Sequence, residues 1–155
     1  LLDGLGDSSH LSFAAGAVWW IVEAESPVDL NGKHKFASCR VVAFGPRQEV
    51  TAQLHAMRPG PIHGLCLTGG NRSTLTGGNR STLTGGYEST LTGGDGSTLT
   101  GGNRSTLTGG DGSTLIFLRW IHGRRRVLTA YVGEDGIDPG KAYRASDDFK
   151  TVEAA

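Results

Sequence analysis

Asn71-Arg72-Ser73-Thr74-Leu75-Thr76-Gly77-Gly78 is the first full copy of the unit that decides this fold. The octapeptide x-x-Ser-Thr-Leu-Thr-Gly-Gly recurs without insertion from Asn71, Asn79, Tyr87, Asp95, Asn103 and Asp111. A degenerate copy, Gly64-Leu65-Cys66-Leu67-Thr68-Gly69-Gly70, precedes them, and the last copy breaks its pattern at Ile116-Phe117-Leu118. Self-similarity at a fixed short period dictates architecture, because one such unit is too small to bury a core alone.

Within each unit, Ser-Thr-Leu-Thr alternates strictly and carries β-branched residues, while Gly-Gly with Asn, Asp or Tyr supplies turn chemistry. Alternation sends Ser and Leu to one face and both Thr residues to the other. Leu selects the inner face. The interior ladder is then Leu75, Leu83, Leu91, Leu99, Leu107 and Leu115, accompanied by Ser73, Ser81, Ser89, Ser97, Ser105 and Ser113. Outside stand Thr74/Thr76, Thr82/Thr84, Thr90/Thr92, Thr98/Thr100 and Thr106/Thr108, while Thr114 is left with Ile116 as its partner.

One octad cannot close around a core, but two strands with two Gly-Gly corners make a flattened coil. The expected fold is therefore all-β, a short β-solenoid of about three coils, ~14 Å tall at the strand spacing. In this register Leu75, Leu91 and Leu107 stack on one wall, and Leu83, Leu99 and Leu115 on the other. The competing reading is a flexible Gly/Ser/Thr linker; a Leu at constant phase in every copy argues against it.

Ser-Thr-Leu-Thr-Gly-Gly preceded by Asp-Gly, Tyr-Glu or Asn-Arg resembles the octapeptide of bacterial ice-nucleation proteins. Beyond the repeats, Ser113-Thr114-Leu115-Ile116-Phe117, Trp120, Gly123-Arg124-Arg125, Gly133-Glu134-Asp135-Gly136-Ile137 and Tyr143 are similar to that family's C-terminal cap. Tyr131 to Ile137 is also similar to small octad-repeat proteins of bacteria and their prophages. The resemblance covers residues 64–145 and does not reach residues 1–62, so membrane anchoring of the ice-nucleation kind is not implied. It implies ice or ordered water as the partner, possible self-association, and a cell-surface or extracellular location.

The residues themselves support a related expectation. Thr pairs two apart on a strand lie about 6.6–6.8 Å apart, and coils repeat at about 4.8 Å. That grid of methyl and hydroxyl groups approximates spacings on ice planes. The ten residues expected to contact ice or water are Thr74, Thr76, Thr82, Thr84, Thr90, Thr92, Thr98, Thr100, Thr106 and Thr108. The plainer account is that exposed Thr is a good strand residue on a solvated face. A structural or adhesive module of a bacterial surface or phage protein, without ice activity, is the alternative function.

Length and charge bound the rest. At 155 residues, with 15 basic and 15 acidic side chains, the chain is one domain or one domain with an extension, and its net charge points to neither nucleic acid nor an anionic membrane. It divides into an N-terminal region or cap (1–62), the repeats (63–118) and a C-terminal cap and tail (119–155). The chain starts at Leu1 rather than Met, which reads as a fragment or a processed product. Cys39 and Cys66 are too far apart for a metal knuckle and read as free thiols.

In the first region, Asp7-Ser8-Ser9-His10-Leu11-Ser12 echoes the octad. Leu11 to Val22, with Trp19-Trp20, is too short to span a bilayer and reads as a buried strand or short helix. A turn is expected at Asn31-Gly32, then a strand from Phe36 to Phe44 ended by Gly45-Pro46. Val50, Ala52, Leu54 and Ala56 alternate as in a strand, whereas Val50, Leu54 and Met57 suit a helix. Pro59 and Pro61 mark the boundary, and the region is placed to cap the first coil.

After the repeats, Ile116 to Ile121 and Val127 to Val132 read as a hairpin around His122-Gly123-Arg124, laid across the last coil. Gly133 to Gly140 is a loop, Tyr143 packs back on the cap, and the end is polar.

No enzyme is expected. His10, His34, His55, His63 and His122 have no ligand or triad spacing, and the repeat serines point inward. Gly-Gly-Asp-Gly at positions 93–96 and 109–112 is similar to calcium-binding nonapeptide rolls, but the period is eight and the acid is absent from the other copies, so neither metal nor cofactor is expected. Asn-Arg-Ser at 71, 79 and 103 matches the glycosylation sequon but is better explained as copies of one repeat. Arg124-Arg125-Arg126 could meet phosphate, though three charges at a turn ordinarily make a solvated tip.

Overall fold

The computed structural model describes residues 12–29 and 34–155. The octad echo (Ser12 apart), His10 and the Asn31-Gly32 turn lie outside the described residues. The elements in order are β1 (Val18–Ala24), β2 (Val28–Asp29), β3 (His34–Lys35), β4 (Cys39–Pro46) and α1 (Arg47–Met57). The repeats supply β5 (Cys66–Thr68), β6 (Thr74–Thr76), β7 (Thr82–Thr84), β8 (Thr90–Thr92), β9 (Thr98–Gly101) and β10 (Thr106–Thr108). Then come β11 (Thr114–Ile121), β12 (Arg124–Tyr131), β13 (Ala142–Ala145) and β14 (Val152–Ala154).

Successive octads alternate between two sheets, so a coil is two octads and the repeats form a β-solenoid of about three turns. One wall runs β14-β13-β10-β8-β6 and the other β12-β11-β9-β7-β5. Pairing is parallel and in register: Leu75 beside Leu91 beside Leu107, and Leu67, Leu83, Leu99 and Leu115 on the opposite wall. Leu83, Leu91, Leu99, Leu107 and Leu115 are fully buried. Leu67 and Leu75, on the first strand of each wall, are half-buried.

The corners follow different chemistry from the turn reading. The second residue of each octad, not Gly-Gly, takes the left-handed conformation: φ is 57° at Arg72 and Arg80, 54° at Glu88, 59° at Arg104, and 64° at Gly96 and Gly112. The paired glycines are there for want of space. A Cβ on Gly93 would lie 2.8 Å from the Ser97 Cβ, and one on Gly102 would lie 2.7 Å from the Gly86 carbonyl carbon. The first glycine of each pair makes room for the Ser and Leu side chains of the next strand, while the second nests against the backbone of the neighbouring coil, where no side chain fits.

The buried serines have a job that alternation does not reveal. Ser105 Oγ accepts the Ser89 N–H at 3.1 Å and donates to the Gly86 carbonyl at 3.0 Å. Ser97 and Ser113 repeat the pattern one octad before and after, receiving the N–H groups of Ser81 and Ser97. Each hydroxyl completes backbone hydrogen bonding where the strand bends out of its ladder. Ser105→Ala strands the buried Ser89 N–H, and we expect it to destabilise by about 1–3 kcal/mol in urea unfolding. A change within the ~0.5 kcal/mol of an ordinary surface substitution would show that the hydroxyl only fills space.

The N-terminal cap decides between two readings. Residues 47–57 form a helix, not a strand: Val50, Thr51 and Leu54 are buried on one face, whereas Ala56 and Met57 are exposed. The alternation was fortuitous, because Ala52 and Ala56 have no part in the buried stripe. Helix α1 packs between the antiparallel β1–β4 ribbon, which contributes Ile21, and the first repeat strand β5. Thr51 Oγ1 accepts the Cys66 N–H at 3.1 Å, so the helix blocks the β5 edge. Ile62 and Gly64 imitate an octad corner by bonding to Gly78 and Asn79. Among the described residues no strand pairs with the outer edge of β6.

At the other end, the β11–β12 hairpin is present but does not lie across the last coil. β11 is itself the last parallel strand of its wall, and β12 extends that wall edge to edge. The reason is register: Thr114, Leu115 and Ile116 continue the pairing with Thr98, Leu99 and Thr100. Phe117 and Ala130 supply the bulk that closes the interior. On the opposite wall β13 pairs antiparallel with β10 and buries Tyr143 beside Leu107, as expected of Tyr143. The polar end is not a plain tail, since β14 adds a further strand to β13.

Candidate functional site

Each Thr-Leu-Thr strand buries its Leu and so must present its two Thr side chains outward. The ten Thr residues form two surfaces, as the two Leu stacks require. Thr74/Thr76, Thr90/Thr92 and Thr106/Thr108 are registered rows on the β6-β8-β10 wall. Thr82/Thr84 and Thr98/Thr100 occupy the opposite wall. All ten are exposed or half-exposed.

What bounds each array differs. On the first wall, Ala142 stands opposite Thr108 and ends the Thr rows at β13. Toward the N-terminus that wall stops at Thr74 and Thr76. On the second, Cys66 and Thr68 stand beside Thr82 and Thr84, and Thr114 and Ile116 beside Thr98 and Thr100. The result is three complete Thr rows on one wall and two on the other.

Their hydroxyls are uncommitted. Side-chain hydrogen bonds in the repeats run through Ser, Asn, Asp, Arg, Glu and Tyr. Among the described residues none involves a hydroxyl of the ten Thr residues. The contrast with the serines is direct: one row of hydroxyls is spent on the backbone, the other is left for solvent.

The corners hold the rows in register. Asn71 Oδ1 accepts the Tyr87 N–H at 2.9 Å, Asn79 Oδ1 the Asp95 N–H at 3.1 Å, and Asp95 Oδ1 the Asp111 N–H at 3.0 Å. Where Tyr87 replaces Asn, a polar ladder takes over. Arg72 Nε meets Glu88 Oε2 at 3.1 Å, and Arg104 Nη1 reaches Glu88 Oε1 at 3.8 Å and the Tyr87 hydroxyl at 3.2 Å. The Tyr87 hydroxyl and then Arg72 hold the Glu88 carboxyl below the usual carboxylate range. Octad position one was thus readable as turn chemistry, but its role of tying one coil to the next shows only in three dimensions.

The remaining groups do not converge. Cys39 and Cys66 are free. Among the described residues no three His, Cys, Asp or Glu side chains come together in a way that could hold a metal ion, and no helix is long and apolar enough to cross a membrane. No protein family, characterised protein or solved structure matches this chain.

Proposed function

We propose that this chain is a non-enzymatic, ice-interacting solenoid that orders water on its outward Thr-x-Thr rows, with the three-row wall of β6, β8 and β10 as its principal face. The observation that carries the reading is the pairing of regular spacing with uncommitted hydroxyls. Rows of two Thr side chains repeat in register on a wall of parallel strands. A surface that fixes methyl and hydroxyl groups at about 4.8 Å by 6.6–6.8 Å gives first-layer water a lattice to follow. The likeness of the octad and its cap to bacterial ice-nucleation proteins points the same way.

The wall assignment makes a sharp test. Replacing Thr90, Thr92, Thr106 and Thr108 by Val keeps β propensity on one wall while removing its hydroxyl grid. We expect ice shaping and recrystallisation inhibition to be abolished, with unfolding little changed. The matching replacement of Thr82, Thr84, Thr98 and Thr100 is expected to weaken activity less, because that wall has two complete rows. If the first variant shapes ice as well as the parent, the Thr face is only a solvated wall, and a structural or adhesive role becomes the better reading.

A further inference from the structure

Net charge of zero conceals a strong local segregation at the β11–β12 hairpin. Past Phe117, where the wall's last parallel pairing ends, the hairpin continues through Leu118↔Val127, Arg119↔Arg126, Trp120↔Arg125 and Ile121↔Arg124. His122 and Gly123, with φ of 51° and 71°, close it in a tight turn of the kind that matches strand twist. The result is a short, well-defined ribbon projecting from the end of the solenoid.

Two independent features mark its tip. The first is charge: residues 118–127 contain four Arg and no acidic residue. Arg119 is engaged, donating to the Asp147 carbonyl at 2.7 Å and lying over the Phe149 ring. Ion pairs among the described residues involve Arg40, Arg72, Arg104, Lys141, Arg144 and Lys150, and none involves Arg124, Arg125 or Arg126. Arg126 even stands directly opposite Arg119, a like-charge pairing that opposes strand association.

The second feature is apolar exposure on the ribbon's outer face. Trp120 is 73% exposed and Val127 60% exposed, with Leu118 paired across from Val127. An isolated tip of uncompensated cations would suit any polyanion. The same tip with an outward Trp, Val and Leu suits one whose charged surface overlies hydrocarbon. Trp sits favourably at the headgroup level, and Arg beside it meets acidic headgroups. A second copy of this chain is a poor occupant, because it would bring a second set of uncompensated Arg residues against the first.

We propose that the β11–β12 tip docks peripherally on an anionic lipid bilayer, with Trp120, Val127 and Arg125 on the ribbon's outer face at the interface and Arg124 and Arg126, on its other face beside the turn, meeting acidic headgroups from that side. The contact is a surface one, made by the ribbon's end; Leu118 and Trp120 continue the outer face of Thr98 and Thr100, so the wall it leaves clear is that of β6, β8 and β10. It does not depend on ice interaction.

The test is sedimentation of the full chain with vesicles of phosphatidylcholine alone and of phosphatidylcholine carrying phosphatidylserine. Binding is expected only to the anionic vesicles and is expected to fall as salt is raised, since headgroup attraction is screened within about 8 Å at ~0.15 M salt. Changing Arg124, Arg125 and Arg126 together to Gln should weaken it by about 100-fold, and Trp120→Ala should weaken it on its own with the Arg residues intact. Salt titration of the parent keeps the test independent of how the variants fold. Equal binding to neutral vesicles, salt-insensitive binding, or no loss in the Gln variant would overturn the proposal. So would binding to duplex DNA without binding to vesicles, or self-association abolished by Trp120→Ala with no vesicle binding.

Discussion

Leu99→Ala is expected to destabilise the fold by about 2–5 kcal/mol, the range for emptying a leucine-sized site that cannot collapse. Leu99 is fully buried, with Leu83 and Leu115 in register on either side of it. The surrounding backbone cannot close the gap, because coil spacing is fixed by ladder hydrogen bonds and by corners already in contact at Gly94 and Gly102. Typical domains have only about 5–15 kcal/mol in total, so this one change removes a large share. Leu75→Ala on the half-buried first strand is expected to lose clearly less. Urea unfolding of both variants decides it; equal losses would mean that the first coil is as well covered as the middle one.

Adding coils is expected to raise ice activity steeply, whereas the chain as it stands should bind ice weakly and nucleate poorly. A nucleator must order a patch large enough to become a stable ice embryo. Three rows on one wall, at about 4.8 Å each, are only a few water molecules tall. Duplicating residues 87–102, two octads and therefore one coil, adds one Thr row to each wall without changing the wall that any later strand joins. Repeated duplication should move droplet freezing to warmer temperatures in steps, and Val in place of the added Thr residues should erase the gain. Freezing temperatures independent of coil number would rule out the Thr walls as the nucleating surface.

Much of the solenoid was readable because the octad states each local choice six times over. Strict alternation with a single Leu fixed which face is inside, and an eight-residue period too short to close alone fixed the coil at two octads. The in-register Leu stacks followed from those two facts. The hairpin was visible from two apolar runs around His122-Gly123. The caps offered no such repetition. Residues 47–57 satisfied strand alternation and helical spacing at once, and only the chance to bury Val50, Thr51 and Leu54 against β1, β4 and β5 selected the helix.

The sequence alone therefore determined the repeat, its inner and outer faces, and the ten Thr side chains as candidates, since these depend on local period and on the need to bury Leu. Tertiary structure alone decided where each Thr array ends, and that the serines serve the backbone. It also decided that the second glycine of each pair answers to crowding between coils, and that β13 and β14 terminate one wall while the hairpin prolongs the other. Those facts depend on contacts one coil away, 16 residues along the chain, or farther still, and no local pattern encodes which distant backbone will lie alongside.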